Sequence, residues 1–193
     1  MEQKKGQRSR IQQELDTLSE QITEVRRNLI HHEEAREIIR KVGLATQQQL
    51  QYHISDITSL ALGDVFDDPY ELAVEFVQRR NRTECDLIFE RKGLRLDPMD
   101  GSGVGAIDIA SFALRIAAWS MQSPRTRNVI ILDEPFKFLD GQTDRLERAS
   151  EMVKELSERL GLQFIIITHE PTLAEYADKT FTVTNRKGIS QVR

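Results

Sequence analysis

Two adjacent carboxylates close an apolar run in this chain, where Val129-Ile130-Ile131-Leu132 leads into Asp133-Glu134-Pro135. At the carboxyl end of a buried parallel strand, an aspartate can hold Mg²⁺ through an oxygen or an intervening water. A neighbouring glutamate can orient or deprotonate a water that attacks a γ-phosphate. The same pair also suits a plain strand end, with solvated acids capping the turn that Pro135 begins. A second apolar run, Phe164-Ile165-Ile166-Ile167, ends in Thr168-His169. A neutral imidazole at that height can hydrogen-bond the γ-phosphate or the attacking water; a histidine alone at a strand end is otherwise structural or solvated. Paired with Asp133 and Glu134, His169 reads as part of one site.

The third signal is Gly101-Ser102-Gly103-Val104-Gly105 ahead of a long apolar stretch. Free backbone N–H groups and the helix dipole at such a start attract anions, and Ser102 adds a hydroxyl donor. A loop that merely caps a helix has the same composition. Gly101, Gly103 and Ala106 also fit the G-x-G-x-x-A of a dinucleotide fold, but that fold needs an acid ~20 residues later, at the end of the next strand. Here Asp133 follows Gly101 by 32 residues and belongs to Asp-Glu-Pro. No G-x-x-x-x-G-K-[S/T] occurs, so the lysine-bearing phosphate cradle is missing and the chain is not expected to be a complete ATPase. Cys85 has no partnering histidine in its pattern and is expected to be a buried structural residue. His31, His32 and His53 have no spacing that recommends a role.

The elements that must position these residues can be read from periodicity. Ile11, Leu15, Leu18, Ile22, Val25 and Leu29 are spaced 4, 3, 4, 3, 4, the seam of a coiled coil or, for residues 11 to 30, the apolar stripe of a surface helix on a globular domain, with Gly43 expected to break the helix before a second pattern through Leu50, Ile54, Ile57 and Leu60 to Gly63. Past Asp67-Asp68-Pro69 the period becomes two. Leu72, Val74 and Phe76, then Cys85, Leu87 and Phe89, then Leu94-Arg95-Leu96 predict a small antiparallel sheet with basic turns at Arg79, Arg80, Arg82, Arg91 and Lys92. Ala106 to Met121 predicts a nearly all-apolar helix. Strands at Asn128 to Leu132 and Phe164 to Thr168, joined by a charged helix from about Thr143 to Leu160, predict a parallel βαβ unit. A short helix from about Leu173 to Ala177 and a strand pair around Asn185-Arg186-Lys187-Gly188 complete the pattern.

Composition bounds the class. Of 193 residues, 39% are hydrophobic and 30% charged, which excludes collagen-like and low-complexity chains while leaving the apolar share lean, as an exposed charge-rich helix would. With 27 basic and 31 acidic residues the net charge is −4, so no bulk attraction to nucleic acid or membrane follows. One cysteine excludes an intrachain disulfide and a cysteine-rich zinc site, and no apolar run has the length of a membrane span. A soluble, intracellular protein is expected.

In this order, coiled coil, small sheet, Ser-Gly helix start, Asp-Glu-Pro strand and Thr-His strand, the chain resembles the carboxy-terminal lobe of an ABC-type ATPase head of the SMC and double-strand-break-repair (SbcC-like) superfamily. The resemblance implies an α/β P-loop NTPase fold, with residues 1–42 as a coiled-coil arm and residues 43–193 as the lobe. It implies that Asp133 is the magnesium aspartate, Glu134 the catalytic glutamate, and His169 the switch histidine. Phe138-Leu139-Asp140 becomes the D-loop at a dimer interface, and Ser102, Gly103 and Gly105 the segment that binds the γ-phosphate of a second head. Where the superfamily has Ser-Gly-Gly followed by a polar residue, this chain has Ser102-Gly103-Val104-Gly105-Ala106, with the second glycine displaced. The resemblance further implies ATP and Mg²⁺, an amino-terminal P-loop lobe, a second head, a nuclease subunit and DNA as partners, no membrane, and a cytoplasmic or nucleoid-associated location. The alternative is a non-catalytic coiled-coil DNA clamp or scaffold with a degenerate ATPase lobe. A transporter nucleotide-binding domain would lack the heptad arm and the antiparallel insertion.

Overall fold

The structure, a computed structural model, describes residues 1–80, 82–124, 126–139 and 143–193. The chain divides into two compact units, Met1–Gln49 and Leu50–Arg193. In the first unit every residue belongs to helix α1 (Glu2–Val65) except Met1. The predicted break at Gly43 does not occur. A glycine inside a helix costs ~1 kcal/mol relative to alanine, and the surrounding Arg40, Lys41, Leu44, Ala45 and Gln47 favour helix enough to absorb it. The side chains of the heptad seam, Ile11 to Leu29, are 50–65% exposed.

In the second unit the last turns of α1 enter a core. Ile54, Ile57, Thr58, Ala61, Leu62 and Val65 face inward, spaced as one helical stripe. Leu60, expected on that stripe, is 61% exposed, and the helix continues two residues past Gly63. Strands β1 (Glu71–Arg79), β2 (Arg82–Arg91) and β3 (Leu94–Leu96) form the antiparallel sheet, with Leu72 opposite Phe89 and Glu75 opposite Asp86. Leu72, Val74 and Phe89 are buried, and Tyr70 stacks on Phe89 with ring centroids 5.1 Å apart. The β2–β3 turn is Lys92-Gly93, both at positive φ, a geometry that matches the strand twist. The turn end of the β1–β2 hairpin is largely exposed, although Phe76, opposite Cys85, is partly buried against the core. Cys85 lies there and is exposed, contrary to its expected burial.

One turn of helix, α2 (Pro98–Gly101), is capped by Asp97, whose carboxylate accepts from the Met99 amide at 2.8 Å. Helix α3 (Val104–Ser120) follows. Ile109, Phe112, Ile116 and Trp119 are buried with the alanines between them, each large side chain contributing about 1.5–3 kcal/mol. Strands β4 (Val129–Asp133) and β5 (Gln163–Ile167) pair in parallel, Asp133 opposite Ile167, and helix α4 (Thr143–Leu160) is the crossover. A 3-10 turn at Lys137–Leu139 precedes it. The strand bounds differ from expectation by one residue at each end because the ladder is set by pairing, not by the apolar run. Ile130, Leu132, Phe164 and Ile166 face the core, whereas Ile131, Ile165 and Ile167 on the other face are 45–63% exposed. Parallel strands ordinarily have both faces covered. Helix α5 (Pro171–Glu175) and the antiparallel pair β6 (Val183–Arg186) and β7 (Ile189–Val192) end the chain, both strands exposed.

Candidate functional site

Asp133 is the last residue of β4, and its side chain is exposed at the open end of the strand. The next residue, Glu134, turns left-handed, with φ +46°. Its amide still donates to the Ile167 carbonyl at 2.8 Å, so the parallel ladder holds its backbone while the side chain leaves the sheet. Beyond β5, the Thr168 hydroxyl accepts from the Glu170 amide at 3.0 Å and donates to Glu134 Oε2 at 3.4 Å. His169 Nδ1 lies 2.8 Å from the same oxygen, and Nε2 faces Glu170 Oε1 at 3.5 Å. Because a carboxylate only accepts, Nδ1 carries the hydrogen of the shorter contact. The predicted convergence of Glu134 and His169 is therefore a direct hydrogen bond between the ends of neighbouring strands.

That hydrogen bond holds the Glu134 carboxyl below the usual carboxylate range. The charge on His169, its backbone amide and the Thr168 hydroxyl act the same way, and partial desolvation opposes them. A carboxylate held ionised in this way is a weak base. Such a carboxylate can accept from a water and orient it.

After Pro135, Phe136 is also left-handed, at φ +62°, and its ring is 1% exposed, edge-on to Phe112 at 5.3 Å. Left-handed backbone costs a bulky residue about 1–3 kcal/mol. Removing such a buried ring costs about 3–5 kcal/mol, so burial holds the turn.

The glycine segment lies elsewhere, in a cleft of about 530 Å³ lined by Ser102, Gly103, Gly105, Tyr70, Arg91 and Arg145 among others. Gly103 caps α3 at φ +82°, a conformation suited to glycine. The Ser102 hydroxyl donates to the Pro98 carbonyl at 2.7 Å. It therefore offers a ligand lone pairs rather than the expected proton. Gly105 has a packing reason: a Cβ there would stand 2.8 Å from Leu139 Cδ2 and 3.3 Å from the Phe138 carbonyl oxygen. Asp140, the D-loop aspartate expected from the sequence, lies outside the described residues.

Neither Arg145 nor Asp108 was expected from the sequence, and Arg91 was expected only as a basic turn residue. The Arg91 guanidinium stacks 4.0 Å from the centre of the Tyr70 ring, and Arg145 lies 5.1 Å from that of Phe66, both at the cleft. Asp108 in α3 accepts from the Phe138 amide at 3.4 Å. Nothing in local spacing points to that contact, since its partner lies thirty residues on and donates through backbone. No local signal marks the stacks, since Tyr70 precedes Arg91 by 21 residues and Phe66 precedes Arg145 by 79. The basic turns are largely engaged within the sheet: Arg79 forks onto Asp86 at 2.7 and 2.6 Å and reaches Glu84 at 3.2 Å. Lys92 pairs with Asp68 at 2.7 Å.

For a divalent cation, Asp133 supplies one exposed hard oxygen, and among the described residues no cluster of three or more acidic, histidine or cysteine side chains could hold a metal ion. That donor set fits Mg²⁺, which keeps several waters and is bound through one or two carboxylates plus substrate phosphates.

No family model matches the chain. It is 31% identical over 118 residues to the lipoprotein-releasing system ATP-binding protein LolD of Shewanella sp. (strain MR-7), covering 57% of this chain and 47% of the relative. LolD of Shewanella oneidensis matches over the same shares. The chain thus spans about half the length of the curated relatives it matches. Among solved structures, an SMC ATPase studied for ATP-driven dimerization and DNA-stimulated activation superposes with a TM-score of 0.60 at 19% identity, over 77% of this chain and 87% of that one. The Smc head domain of Pyrococcus furiosus, bound to the C-terminal domain of ScpA, gives 0.60 at 19%, over 79% and 36%. That of Pyrococcus yayanosii gives 0.61 at 18%, over 83% and 29%. This chain has the SMC-head fold. The SMC-head fold accounts for the long leading helix, the small antiparallel sheets and the parallel pair that carries Glu134 and His169. Among the described residues, no helix is long and apolar enough to cross a membrane.

Proposed function

We propose that this chain is the carboxy-terminal lobe of an ATP-hydrolysing SMC-type head, with residues 1–42 as a coiled-coil arm and residues 43–193 as the lobe. The observation that carries the reading is the 2.8 Å hydrogen bond between Glu134 and His169 at the ends of adjacent parallel strands. In this reading Glu134 accepts a hydrogen bond from the attacking water and aligns it, and His169 fixes the Glu134 rotamer beside the γ-phosphate. Asp133 would be the protein ligand of Mg²⁺, which when bound neutralises phosphate charge. The α3 amides after Gly103, with Ser102 and Gly105 beside them, would receive the γ-phosphate held by a second head, and Asp140 would lie at that interface.

The wider reading is a DNA repair or recombination machine, in which ATP joins two heads and hydrolysis separates them. Its partners would be an amino-terminal P-loop lobe, a second head, a nuclease subunit and DNA, in the cytoplasm or at the nucleoid. A kleisin-like chain is a further candidate, because the Pyrococcus furiosus head domain is bound to ScpA. The engaged Ser102 hydroxyl favours a second reading, a non-catalytic coiled-coil DNA clamp or scaffold with a degenerate ATPase lobe.

The test is Glu134→Gln in a head completed by co-expression with a P-loop lobe. ATP binding and head pairing should survive while hydrolysis falls by about two orders of magnitude or more, since the neutral amide lacks the charge that polarises the water and can turn its NH₂ toward it instead. Near-normal turnover in the variant removes Glu134 from the chemistry. A completed head that pairs but hydrolyses nothing supports the scaffold.

A further inference from the structure

One face of α3 cradles the turn that follows Glu134. Gly105 lets the first turn of the helix close on Leu139 and the Phe138 carbonyl, where a Cβ would stand 2.8 and 3.3 Å away. Asp108, three residues on and on the same face, accepts from the Phe138 amide at 3.4 Å. Phe112, one turn further, packs edge-on against Phe136 at 5.3 Å. These contacts grip the segment 136–139 from its backbone and its buried ring. Glu134 is tied to that segment through Pro135, whose ring fixes φ and leaves little slack. Glu134 and Phe136 both occupy left-handed backbone, which persists only where surrounding contacts over-determine it.

We propose that Asp108 is a positioning residue for Glu134: by holding the Phe138 amide it fixes the turn from Glu134 to Leu139 to α3, so that the glycine segment and the water-orienting carboxylate move as one piece. The proposal rests on the reading of Glu134 given above. Asp108 touches neither phosphate nor water in this scheme. Its side chain is part-buried, and burial pushes its carboxyl above the usual range although the Phe138 and Phe136 amides act against that shift.

Two measurements on Asp108→Ala decide it. In the chain without nucleotide, exchange of the Phe138 amide with solvent should accelerate by about tenfold or more, the effect of losing its side-chain acceptor. In the completed head, kcat for ATP should fall by about tenfold or more while KM changes by less than about threefold, since binding groups are untouched. Asp108→Asn keeps an acceptor oxygen and should recover both readouts.

A folded Ala variant with unchanged Phe138 exchange overturns the hold itself. Faster exchange with unchanged kcat, or a matching loss in KM and kcat, overturns the positioning role. If Asp108→Ala does not melt cooperatively, Asp108→Leu, similar in volume and without acceptors, carries the same two readouts. A completed wild-type head without ATPase activity would defeat the reading of Glu134, and the exchange measurement would still decide whether Asp108 holds the turn.

Discussion

The Asp108 and Glu134 carboxyls flank one short turn and are pushed in opposite directions, Asp108 upward mainly by burial and Glu134 downward mainly by the His169 hydrogen bond. Their linkage to stability therefore has opposite signs. The Asp108 contribution is complete below its unfolded value of ~3.9 and is lost as pH rises through its raised folded value. The Glu134 contribution is complete above ~4.3 and is lost as pH falls through its depressed value. Replacing Asp108 by Asn should raise the melting temperature relative to wild type by an amount that grows as pH rises from about 4 through the raised value of Asp108 and then levels off; a difference that shrinks as pH rises from about 4 would contradict the burial of this acid. Gly105→Ala should destabilise by about 1–3 kcal/mol in a denaturant melt, because Leu139 can shift its side chain but the Phe138 carbonyl is backbone. Asp133-Glu134 and Thr168-His169 were legible because each terminates an apolar run, and two such strands in a βαβ unit end side by side. Asp108 and the packing role of Gly105 were not, because their partners are a backbone amide and a leucine brought close only by the fold.

At the scale of elements, the order of helices and strands followed from periodicity, while the errors share one cause. Pattern reports which face is apolar and says little about where neighbours stop. The helix runs through Gly43, Leu60 lies outside the core stripe, and Cys85 is exposed on β2 beyond the Phe89–Arg91 stretch that pairs with β3. A Cβ added at Gly43 would meet nothing within 4 Å, so Gly43→Ala should stabilise α1 by roughly 0.5–1 kcal/mol. Circular dichroism during thermal melting reads it, and a loss of helicity would show that a close neighbour uses that glycine.

For the whole molecule, the question is what covers its apolar surface. The Ile11 to Leu29 seam and the outer face of β4 and β5 are both open to solvent. Apolar surface of this extent drives association. The chain by itself should self-associate in light scattering, and co-expression with a P-loop lobe should yield a monodisperse complex; a monomer with a cooperative melt and no hydrophobic-dye binding would mean that these faces need no cover. Without a lysine-bearing phosphate loop the chain should also fail to bind ATP at micromolar concentration, and tight binding would remove the need for a second lobe. Cys85 makes such assembly measurable. It is the single thiol of the sequence and stands exposed on β2, so an unaltered chain accepts one fluorophore or spin label at one known position. Desolvation and the Asp86 charge raise its pKa, so maleimide coupling should quicken markedly as the buffer is made alkaline. Energy transfer between two labelled copies then gives a distance between sheets in any pair that ATP brings together.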